Sequence, residues 1–359
     1  MEKAIKIIFT GGGSAGHVTP SLPLIQALQA KGVNIFYVGS THGIELSLIA
    51  SLNIPYYAIV TGKLRRYWSW KNFLTPFQLF FGILQSFFIC LRVQPQIVFS
   101  KGGFVSLPVV IAAWISRIPV VIHESDLTPG LANRLSFPFA KLICVTFSET
   151  AQHYKNSNKV LVTGMPIRES LYHGVRANGL QCLGFVAEKP VLLIMAGGLG
   201  SAIINDSIRR LMKTLTKNFQ IIHLCGKGKL DLHFSAVPFY RQFEYIRAEL
   251  ADVLACADLV VSRAGATSVY ELIALKKPHI LLPLSIQASR GDQIENAKYF
   301  EKQGLSTVLY DKEFSDGQLL KTILHCYENL QCMKNSFKTA KQQDATALIL
   351  EKLLAIAKK

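Results

Sequence analysis

The sequence predicts an α/β protein built from two doubly wound, Rossmann-like domains. Short, continuous apolar runs alternate with longer helical patterns through most of the 359 residues. This alternation is typical of parallel strands that are covered by helices on both faces of a sheet. Each half of the chain opens with an apolar run, a glycine-bearing loop and a helical pattern, first at residues 4–30 and again at residues 191–215. The length is sufficient for two domains of ordinary size.

The first half contains seven apolar runs that we predict to be strands. They cover residues 4–9, 34–38, 56–60, 97–100, 119–123, 142–145 and 160–163. The pattern pauses at the tetrapeptide TGMP, residues 163–166, which predicts a domain boundary near Gly164. Residues 1–164 are therefore expected to form an N-terminal domain, and residues 165–340 a C-terminal one.

A polar, glycine-bearing stretch at residues 169–188 precedes the second series of elements. A helix is predicted at residues 202–215, after the first strand of this series. The predicted strands cover residues 191–196, 220–225, 259–262, 279–282 and 306–310. The last segment, residues 346–357, has apolar residues at helical spacing and predicts an amphipathic C-terminal helix.

The first glycine loop, residues 11–16 with the sequence GGGSAG, follows the first predicted strand. Its glycines match the dinucleotide fingerprint G-x-G-x-x-G, in which backbone amides hold phosphate at a helix N-terminus. That fingerprint also requires an acid at the end of the second strand to bind the ribose, and no Asp or Glu lies between residues 3 and 44. The sequence therefore disfavours a dinucleotide site and a dehydrogenase, and it predicts a phosphate-binding loop.

Two more glycine loops follow predicted strands. The second glycine loop is KGGFVS at residues 101–106, and the third is GGLGS at residues 197–201. Glycine allows a ligand to approach the backbone amides, and the helix that follows turns its N-terminus toward that ligand. Because ligands bind at the carboxyl ends of parallel strands, the three loops together predict an anion-binding cleft.

Histidines adjoin two of these positions. His17 follows the first glycine loop and is interpreted either as a helix-start cap or as a general base beside bound phosphate. His123 and Glu124 end another predicted strand of the same sheet, where they form either an acid/base or substrate-orienting pair or a structural pair.

The densest cluster of candidate residues is SRAGATSVYE at residues 262–271. Small hydroxyl residues and amides at a helix start suit phosphate, and the Glu271 carboxylate can accept both hydroxyls of a ribose. Sugar plus phosphate indicates a nucleotide site in the second domain; the alternative is that Glu271 lies on a solvated helix face. The sequence has no metal-ligand spacing and no nucleophile elbow, so neither a metal nor a cofactor is predicted.

The charge of the chain favours an anionic partner. The formal net charge is +16, and residues 1–164 contain 14 Lys and Arg against 5 Asp and Glu. Nucleic acid is not indicated, because the sequence lacks a helix-turn-helix, a zinc knuckle and an RNP-like strand.

Residues 73–91 contain no charged side chain over a span close to bilayer length. Three interpretations remain: a buried crossover helix, a helix at a membrane interface, and a transmembrane span that would interrupt the alternating α/β series. The preceding segment favours an interfacial helix on an anionic membrane surface, because it mixes cations with amphipathic aromatics. Those residues are Lys63, Arg65, Arg66, Tyr67, Trp68, Trp70 and Lys71.

The N-terminal sequence and the cysteine pattern favour a cytosolic location. The N-terminus leads directly into a predicted strand without the pattern of a signal peptide. The seven cysteines are scattered and form no C-x-x-C pair, as expected for reduced thiols.

Six motifs occur in the same order as in the MurG family of peripheral N-acetylglucosaminyltransferases. They are the first glycine loop with His17, KGGFVS at 101–106, HE at 123–124, TGMPIR at 163–168, residues 263–271, and DQ at 292–293 with NA at 296–297. The chain resembles that family over nearly its whole length. The resemblance implies a GT-B fold, in which two Rossmann-like domains face a cleft and a C-terminal helix, about residues 341–359, packs back on the N-terminal domain.

The resemblance also implies an activity and a location. It implies transfer of GlcNAc, with inversion, from UDP-GlcNAc to the C4 hydroxyl of MurNAc in lipid I (undecaprenyl-pyrophosphoryl-MurNAc-pentapeptide), giving lipid II for peptidoglycan synthesis. The implied partners are these two substrates, an anionic membrane surface and other cell-wall synthesis proteins. The implied location is the cytoplasmic face of the bacterial inner membrane.

By motif match, the resemblance makes His17 the candidate general base. It places the acceptor against Gly12, Gly13, Gly102, Gly103, Phe104, His123, Glu124 and Asp126, with Gly16 also near the acceptor diphosphate. It places the donor against Ser14, Ala15, Gly16, Arg168, Gly198, Leu199, Ser201, Ile246, Ala266, Thr267, Ser268, Glu271 and Gln293. Within the donor site, Glu271 would bind the ribose and Ile246 would lie near the uracil.

Several positions depart from the family pattern. The third glycine loop is one residue shorter than GGSxGA and lacks its serine, for which Ser201 is a candidate substitute. Ser125 and Asp126 stand where amides are usual, which adds an acid near an anionic acceptor; Met165 and Asp292 also differ. Two alternatives remain open: another GT-B sugar-nucleotide enzyme, such as a glucosyltransferase or a UDP-GlcNAc epimerase, and a non-catalytic nucleotide- or lipid-binding relative.

Overall fold

A computed structural model describes residues 4–62, 71–154, 158–197, 200–246, 248–286, 289, 291–338 and 344–358, and the side chains of residues 71–73 are outside this description. The chain divides into two compact units. Unit 1 comprises Met1–Ile167 together with Gln343–Lys359, and unit 2 comprises Arg168–Gln342. Each unit contains one sheet in which every described strand pair is parallel.

Unit 1 contains a sheet of seven described strands in the order β3-β2-β1-β4-β5-β6-β7. The strands are β1 Lys6–Thr10, β2 Asn34–Ser40, β3 Tyr56–Ile59, β4 Ile97–Ser100, β5 Val120–Glu124, β6 Leu142–Val145 and β7 Val160–Val162. The described helices of this unit are α1 Ser21–Ala30, α2 Ile44–Ile49, α3 Lys71–Val93, α4 Ser106–Ile115, α5 Leu131–Ser136 and α6 Ser148–Ala151.

Unit 2 repeats this winding with six described strands in the order β10-β9-β8-β11-β12-β13. They are β8 Val191–Met195, β9 Gln220–Leu224, β10 Tyr240–Phe243, β11 Leu259–Ser262, β12 His279–Leu281 and β13 Thr307–Val308. Its described helices are α7 Arg176–Leu183, α8 Ala202–Asn218, α9 Leu250–Cys256, α10 Ala266–Ala274, α11 Asp292–Lys302, α12 Asp316–Glu328 and α13 Leu330–Ser336, and α14 Ala345–Ala357 follows in unit 1.

The strand orders confirm the predicted fold class. In both sheets the first strand lies in the interior, and the chain then builds outward on either side of it, which is the doubly wound arrangement. The elements that the sequence analysis did not assign include the edge strand β10 and the helix α7, which forms within the stretch described above as polar and glycine-bearing.

The helix α14 completes the hydrophobic core on one face of the unit 1 sheet. Ile349 and Leu353 of α14 are fully buried in one cluster with Ile25 and Leu28 of α1 and with Phe9 of β1. The last helix of the chain therefore belongs to the unit that the N-terminus begins.

Replacing Leu353 with Ala is expected to destabilise unit 1 by about 2–5 kcal/mol, because it leaves a cavity between α14 and α1. Tryptophan fluorescence during urea unfolding isolates this unit, since all three Trp residues lie within residues 1–164. The matched control is Leu354→Ala, at a half-buried position of the same helix, which is expected to cost clearly less. Equal losses in the two variants would contradict the packing of α14.

Candidate functional site

Each sheet has a topological switch point, where helices diverge to opposite faces and leave a crevice beyond the carboxyl ends of the strands. In unit 1 this point lies between β1 and β4, which are hydrogen-bonded neighbours. The first glycine loop follows β1, and the second follows β4. In unit 2 the corresponding neighbours are β8 and β11, and the third glycine loop and residues 263–265 follow them.

The first and second glycine loops pack backbone against backbone. The Gly12 amide donates to the Gly102 carbonyl at 3.3 Å. A Cβ atom on Gly103, whose φ is +81°, would lie 2.1 Å from the Gly12 oxygen, so no other residue fits there. Phe104 covers Gly13, since a Cβ on Gly13 would lie 2.4 Å from its ring. The structure thus brings Gly12, Gly13, Gly102, Gly103 and Phe104 into one surface.

A buried carboxylate organises the first glycine loop. Glu45 of α2 is fully buried and accepts hydrogen bonds from the Gly13 amide at 3.2 Å and the Ser40 amide at 3.1 Å, and also from the Ser40 hydroxyl. Tyr37 Oη donates to the Gly11 carbonyl at 2.8 Å. Burial and the charge of Glu45 raise the pKa of Tyr37, which keeps this phenol protonated as a donor. Glu45 was not predicted as part of the site.

His17 ends a short 3-10 turn, Ala15–His17, between the first glycine loop and α1. Its amide donates to the Ser14 carbonyl at 3.1 Å, and its side chain is half-buried. A Cβ on Gly103 would lie 3.2 Å from His17 Cδ2, so the imidazole borders the second glycine loop as well as the first. The structure therefore places His17 beside both loops.

His123 and Glu124 of β5 are both buried, and their side chains bind backbone groups of the adjacent segments. The Nε2 atom of His123 lies 3.1 Å from the Gly164 oxygen, and burial followed by the nearby Lys101 lowers the pKa of His123. The Glu124 carboxylate accepts from the amides of Asp126 and Gly130, at 3.0 and 2.9 Å, and from Asn133 Nδ2 at 2.9 Å. These contacts favour the structural interpretation of the pair: His123 anchors the segment after β7, and Glu124 shapes the loop after β5.

The third glycine loop leads into the N-terminus of α8. Gly198 and Leu199 of this loop lie outside the described residues, as do Lys63, Arg65, Arg66, Tyr67, Trp68, Trp70 and Arg247. Ser201 is the N-cap of α8 and accepts from the Ile204 amide at 3.4 Å. Arg263 donates to the same hydroxyl at 2.6 Å and binds the Leu282 carbonyl at 2.9 Å, so it joins the loops after β8 and β12.

The helix α10 begins directly after the loop at residues 263–265. Gly265 is its N-cap, and Ala266, Thr267 and Ser268 form its first turn, where helix amides lack intrahelical partners. Glu271, one turn further on, is only 7% exposed. Arg168 Nε and Nη2 both bind Glu271 Oε1, at 3.0 and 2.9 Å. Burial raises the pKa of Glu271, and the Arg168 guanidinium opposes that shift.

Two other predicted donor residues lie on neighbouring loops of unit 2. Gln293 is in the first turn of α11, and its Oε1 accepts from the Leu284 amide at 3.1 Å. Ile246 follows β10 and packs against the hydrophobic core at that edge. Among the described residues, no group of three or more His, Cys, Asp or Glu is arranged to hold a metal ion.

On the helix α3, small side chains lie on the buried face and many large apolar side chains lie on the exposed face. Its buried face carries small residues, among them Ser86 and Cys90, and a Cβ on Gly82 would lie 2.5 Å from the Val60 carbonyl. Seven of its large apolar side chains are exposed: Leu74, Phe77, Phe80, Phe81, Leu84, Phe88 and Leu91. Residues Leu74–Val93 are long and apolar enough to cross a membrane by length and composition, with a mean hydropathy of 1.7. The helix is instead the crossover between β3 and β4, and its outer face is not buried within unit 1.

Comparison with known sequences identifies the family. Residues 7–145 match the glycosyltransferase family 28 N-terminal domain, and residues 191–351 match the glycosyltransferase family 28 C-terminal domain. The chain belongs to glycosyltransferase family 28. This family 28 chain is 50% identical over 352 residues to the UDP-N-acetylglucosamine–N-acetylmuramyl-(pentapeptide) pyrophosphoryl-undecaprenol N-acetylglucosamine transferase of Legionella pneumophila, covering 98% of the chain and 96% of that protein.

Two further comparisons place the chain among MurG homologues. A Clostridium perfringens protein with the same name is 50% identical over 339 residues, which cover 94% of this family 28 chain and 95% of that protein. The crystal structure of Acinetobacter baumannii MurG matches the fold with a TM-score of 0.73 at 23% identity, over 98% of this chain and all of that one. The predicted family is confirmed.

Proposed function

We propose that the protein transfers N-acetylglucosamine from UDP-GlcNAc to the C4 hydroxyl of MurNAc in lipid I, forming lipid II with inversion at the anomeric carbon. The observation that carries this proposal is the 50% identity, over nearly the full length, to curated transferases whose name states that donor and that acceptor. In this proposal, each of the two switch points binds one of the substrates.

Unit 1 binds the acceptor in this proposal. The first and second glycine loops present small residues and backbone amides to the diphosphate, and His17 lies beside both loops. His17 accepts the proton of the C4 hydroxyl as that oxygen attacks the anomeric carbon. A half-buried imidazole is suited to this step, because its ordinary pKa lies near neutrality.

Unit 2 binds the donor. The N-terminus of α10, at Ala266 to Ser268, supplies amides for the diphosphate, and Glu271 accepts the ribose hydroxyls. Arg168 holds Oε1 of Glu271, which orients the carboxylate and opposes the rise in its pKa that burial causes. As the bond from the anomeric carbon to the diphosphate oxygen breaks, the charge that develops on UDP is stabilised by the helix N-terminus and the donor-site amides.

A membrane surface is the proposed location of the enzyme. The outer face of α3 is apolar along its length, and Trp114 and Ile115 at the end of α4 are 55% and 50% exposed. Exposed apolar patches of this kind mark interaction sites, and aromatic residues favour the bilayer interface. A peripheral enzyme anchored through this face would meet an acceptor that is itself anchored in lipid.

The central test is UDP release measured with UDP-GlcNAc and a soluble, short-chain lipid I analogue. UDP release is expected to require both substrates, and His17→Ala is expected to lower kcat by about 10²- to 10⁴-fold with little change in the donor KM. His153→Ala, an exposed histidine of the same unit, serves as the control. Equal UDP release without acceptor, or full activity of His17→Ala, would overturn the proposed roles.

Removing the Arg168 guanidinium is expected to weaken donor binding and to make it depend on pH. In Arg168→Met the pKa of Glu271 rises further, because burial is no longer opposed by a cation. The Glu271 carboxyl then protonates at higher pH than in the wild type, so UDP-GlcNAc affinity falls as the pH is lowered. Calorimetry should show about tenfold weaker binding near neutral pH.

The control for this prediction is Arg210→Met, which breaks an exposed ion pair with Asp316 in the same unit. This control should leave the affinity and its pH profile unchanged. A pH profile of Arg168→Met that is parallel to the wild type would show that Arg168 does not act through Glu271.

Replacing Phe77, Phe80 and Phe88 together with Ser is expected to weaken binding to vesicles of anionic phospholipid by at least about a hundredfold, because each buried aromatic ring contributes about 1.5–3 kcal/mol. These rings are 66%, 62% and 60% exposed, so the melting temperature and the turnover of a soluble acceptor should not fall. Leu232→Ser, at an 80% exposed position in unit 2, is the control. Unchanged sedimentation with vesicles would exclude α3 as the membrane surface.

A further inference from the structure

Lys101, the first residue of the second glycine loop, is a fully buried cation that forms no salt bridge within the described part of the chain. Its Nζ donates one hydrogen bond, 2.9 Å to Ser125 Oγ, and the side chain is 0% exposed. Among the described residues, no carboxylate forms a salt bridge with it. Burial of an ammonium without a salt bridge costs folding free energy, so we expect a lysine at such a position only where its charge has a role.

The lysine lies at the switch point of unit 1, under the loops that the proposed function assigns to the acceptor. Its amide donates to the Thr10 carbonyl at 2.8 Å, where β1 ends. A Cβ on Gly11 would lie 3.0 Å from Lys101 Cβ, so the lysine stem packs directly beneath the first glycine loop. The stem therefore lies beside the first glycine loop, and the ammonium reaches Ser125, directly after β5, at the same carboxyl edge of the sheet.

We propose that Lys101 supplies the fixed positive charge that attracts the acceptor diphosphate to the first and second glycine loops. This inference rests on the proposed function of that site and adds a residue to it. Nζ is covered in the structure, so the attraction acts across the loop backbone, where the low local dielectric weakens it far less than water would.

Two acids in the same region explain why the site needs a cation. Burial lowers the pKa of Lys101, and the charges of Glu124 and Asp126 oppose that shift; burial and then the charge of Lys101 lower the pKa of His123. Without the lysine, the charges of these two carboxylates would oppose the approach of an anionic group. Further titratable side chains at this edge are His17, which borders the second glycine loop, and Glu45 and Tyr37, which bind the first glycine loop.

Acceptor binding is then coupled to the protonation of Lys101. Burial lowers the pKa of Lys101 to about 8, so the amine is charged at neutral pH and loses its charge as the pH rises through that value. A bound diphosphate favours the charged form. Affinity for the acceptor is therefore highest below about pH 8 and falls above it.

The test is the acceptor KM, measured with a short-chain lipid I analogue at saturating UDP-GlcNAc between about pH 7 and pH 9. In the wild type the KM should rise above about pH 8. Lys101→Arg keeps a positive charge that does not titrate in this range. The acceptor KM of this variant should therefore stay near the wild-type value at neutral pH and should not increase at higher pH. Lys101→Met should raise the KM at least about tenfold at neutral pH and also lose the rise.

Matched control variants distinguish the loss of the Lys101 charge from a general loss of stability or activity. Lys31→Met removes an exposed lysine at the opposite end of α1 and should leave the profile unchanged. Ser125→Ala removes the single hydrogen bond of the ammonium, so its rise in KM should move to lower pH. The donor KM should not change in any of these variants. A rise in KM that persists in Lys101→Arg, or a Lys101→Met enzyme that matches Lys31→Met, would overturn the proposal.

Calorimetry with inorganic pyrophosphate tests the same charge without catalysis. Wild-type protein should bind pyrophosphate more tightly at pH 7 than at pH 9, and Lys101→Met should lose at least about tenfold in affinity at pH 7. If the wild type transfers no GlcNAc but this difference is found, the proposed function fails and the anion site stands. If transfer occurs and the Lys101 variants bind pyrophosphate like the wild type, only the present inference fails.

Discussion

The backbone contact between the first and second glycine loops constrains the whole site of unit 1. Gly12 and Gly103 approach so closely that neither loop can move without the other. Because β1 and β4 are hydrogen-bonded neighbours, the contact is anchored in the centre of the sheet. His17, Phe104 and Lys101 are attached to these loops, so their positions follow from the contact. A rigid arrangement of this kind positions a reacting group before substrate arrives, which lowers the entropic cost of the reaction.

The buried charged side chains around this contact have two kinds of role: the carboxylates hold loops in place, and the lysine is proposed to attract a ligand. Backbone amides and side-chain donors bind the carboxylate oxygens of Glu45 and Glu124. Both carboxylates therefore stabilise the loops that donate to them. Among the described residues, Lys101 has a hydroxyl partner and no salt bridge, although the charges of Glu124 and Asp126 act on it. In unit 2, Arg168 pairs with Oε1 of Glu271, and the proposed role of the second carboxylate oxygen is to bind ribose.

The sequence predicted the strands of both sheet centres, because a strand buried on both faces is a continuous apolar run. It missed β10, an edge strand in which Arg241 and Gln242 interrupt that run. It also missed α7, where Gly179 suggested a loop. A Cβ on Gly179 would lie 2.3 Å from the Asp252 oxygen of α9, so that glycine is required by close helix packing and not by a turn.

The site residues that the sequence did not predict depend on contacts between distant positions. The lack of an acid after β2 disfavoured a dinucleotide site, yet Glu45 of α2 reaches the Gly13 amide of the first glycine loop. Sequence spacing gives no hint of this contact, because it depends on how α2 folds back on β2. The same limit applies to α3. Its apolar composition was evident, but only the packing of Gly82 against Val60 reveals that the small residues face the core. The aromatics Phe77, Phe80, Phe81 and Phe88 then face outward, and this orientation supports the proposed contact with a membrane.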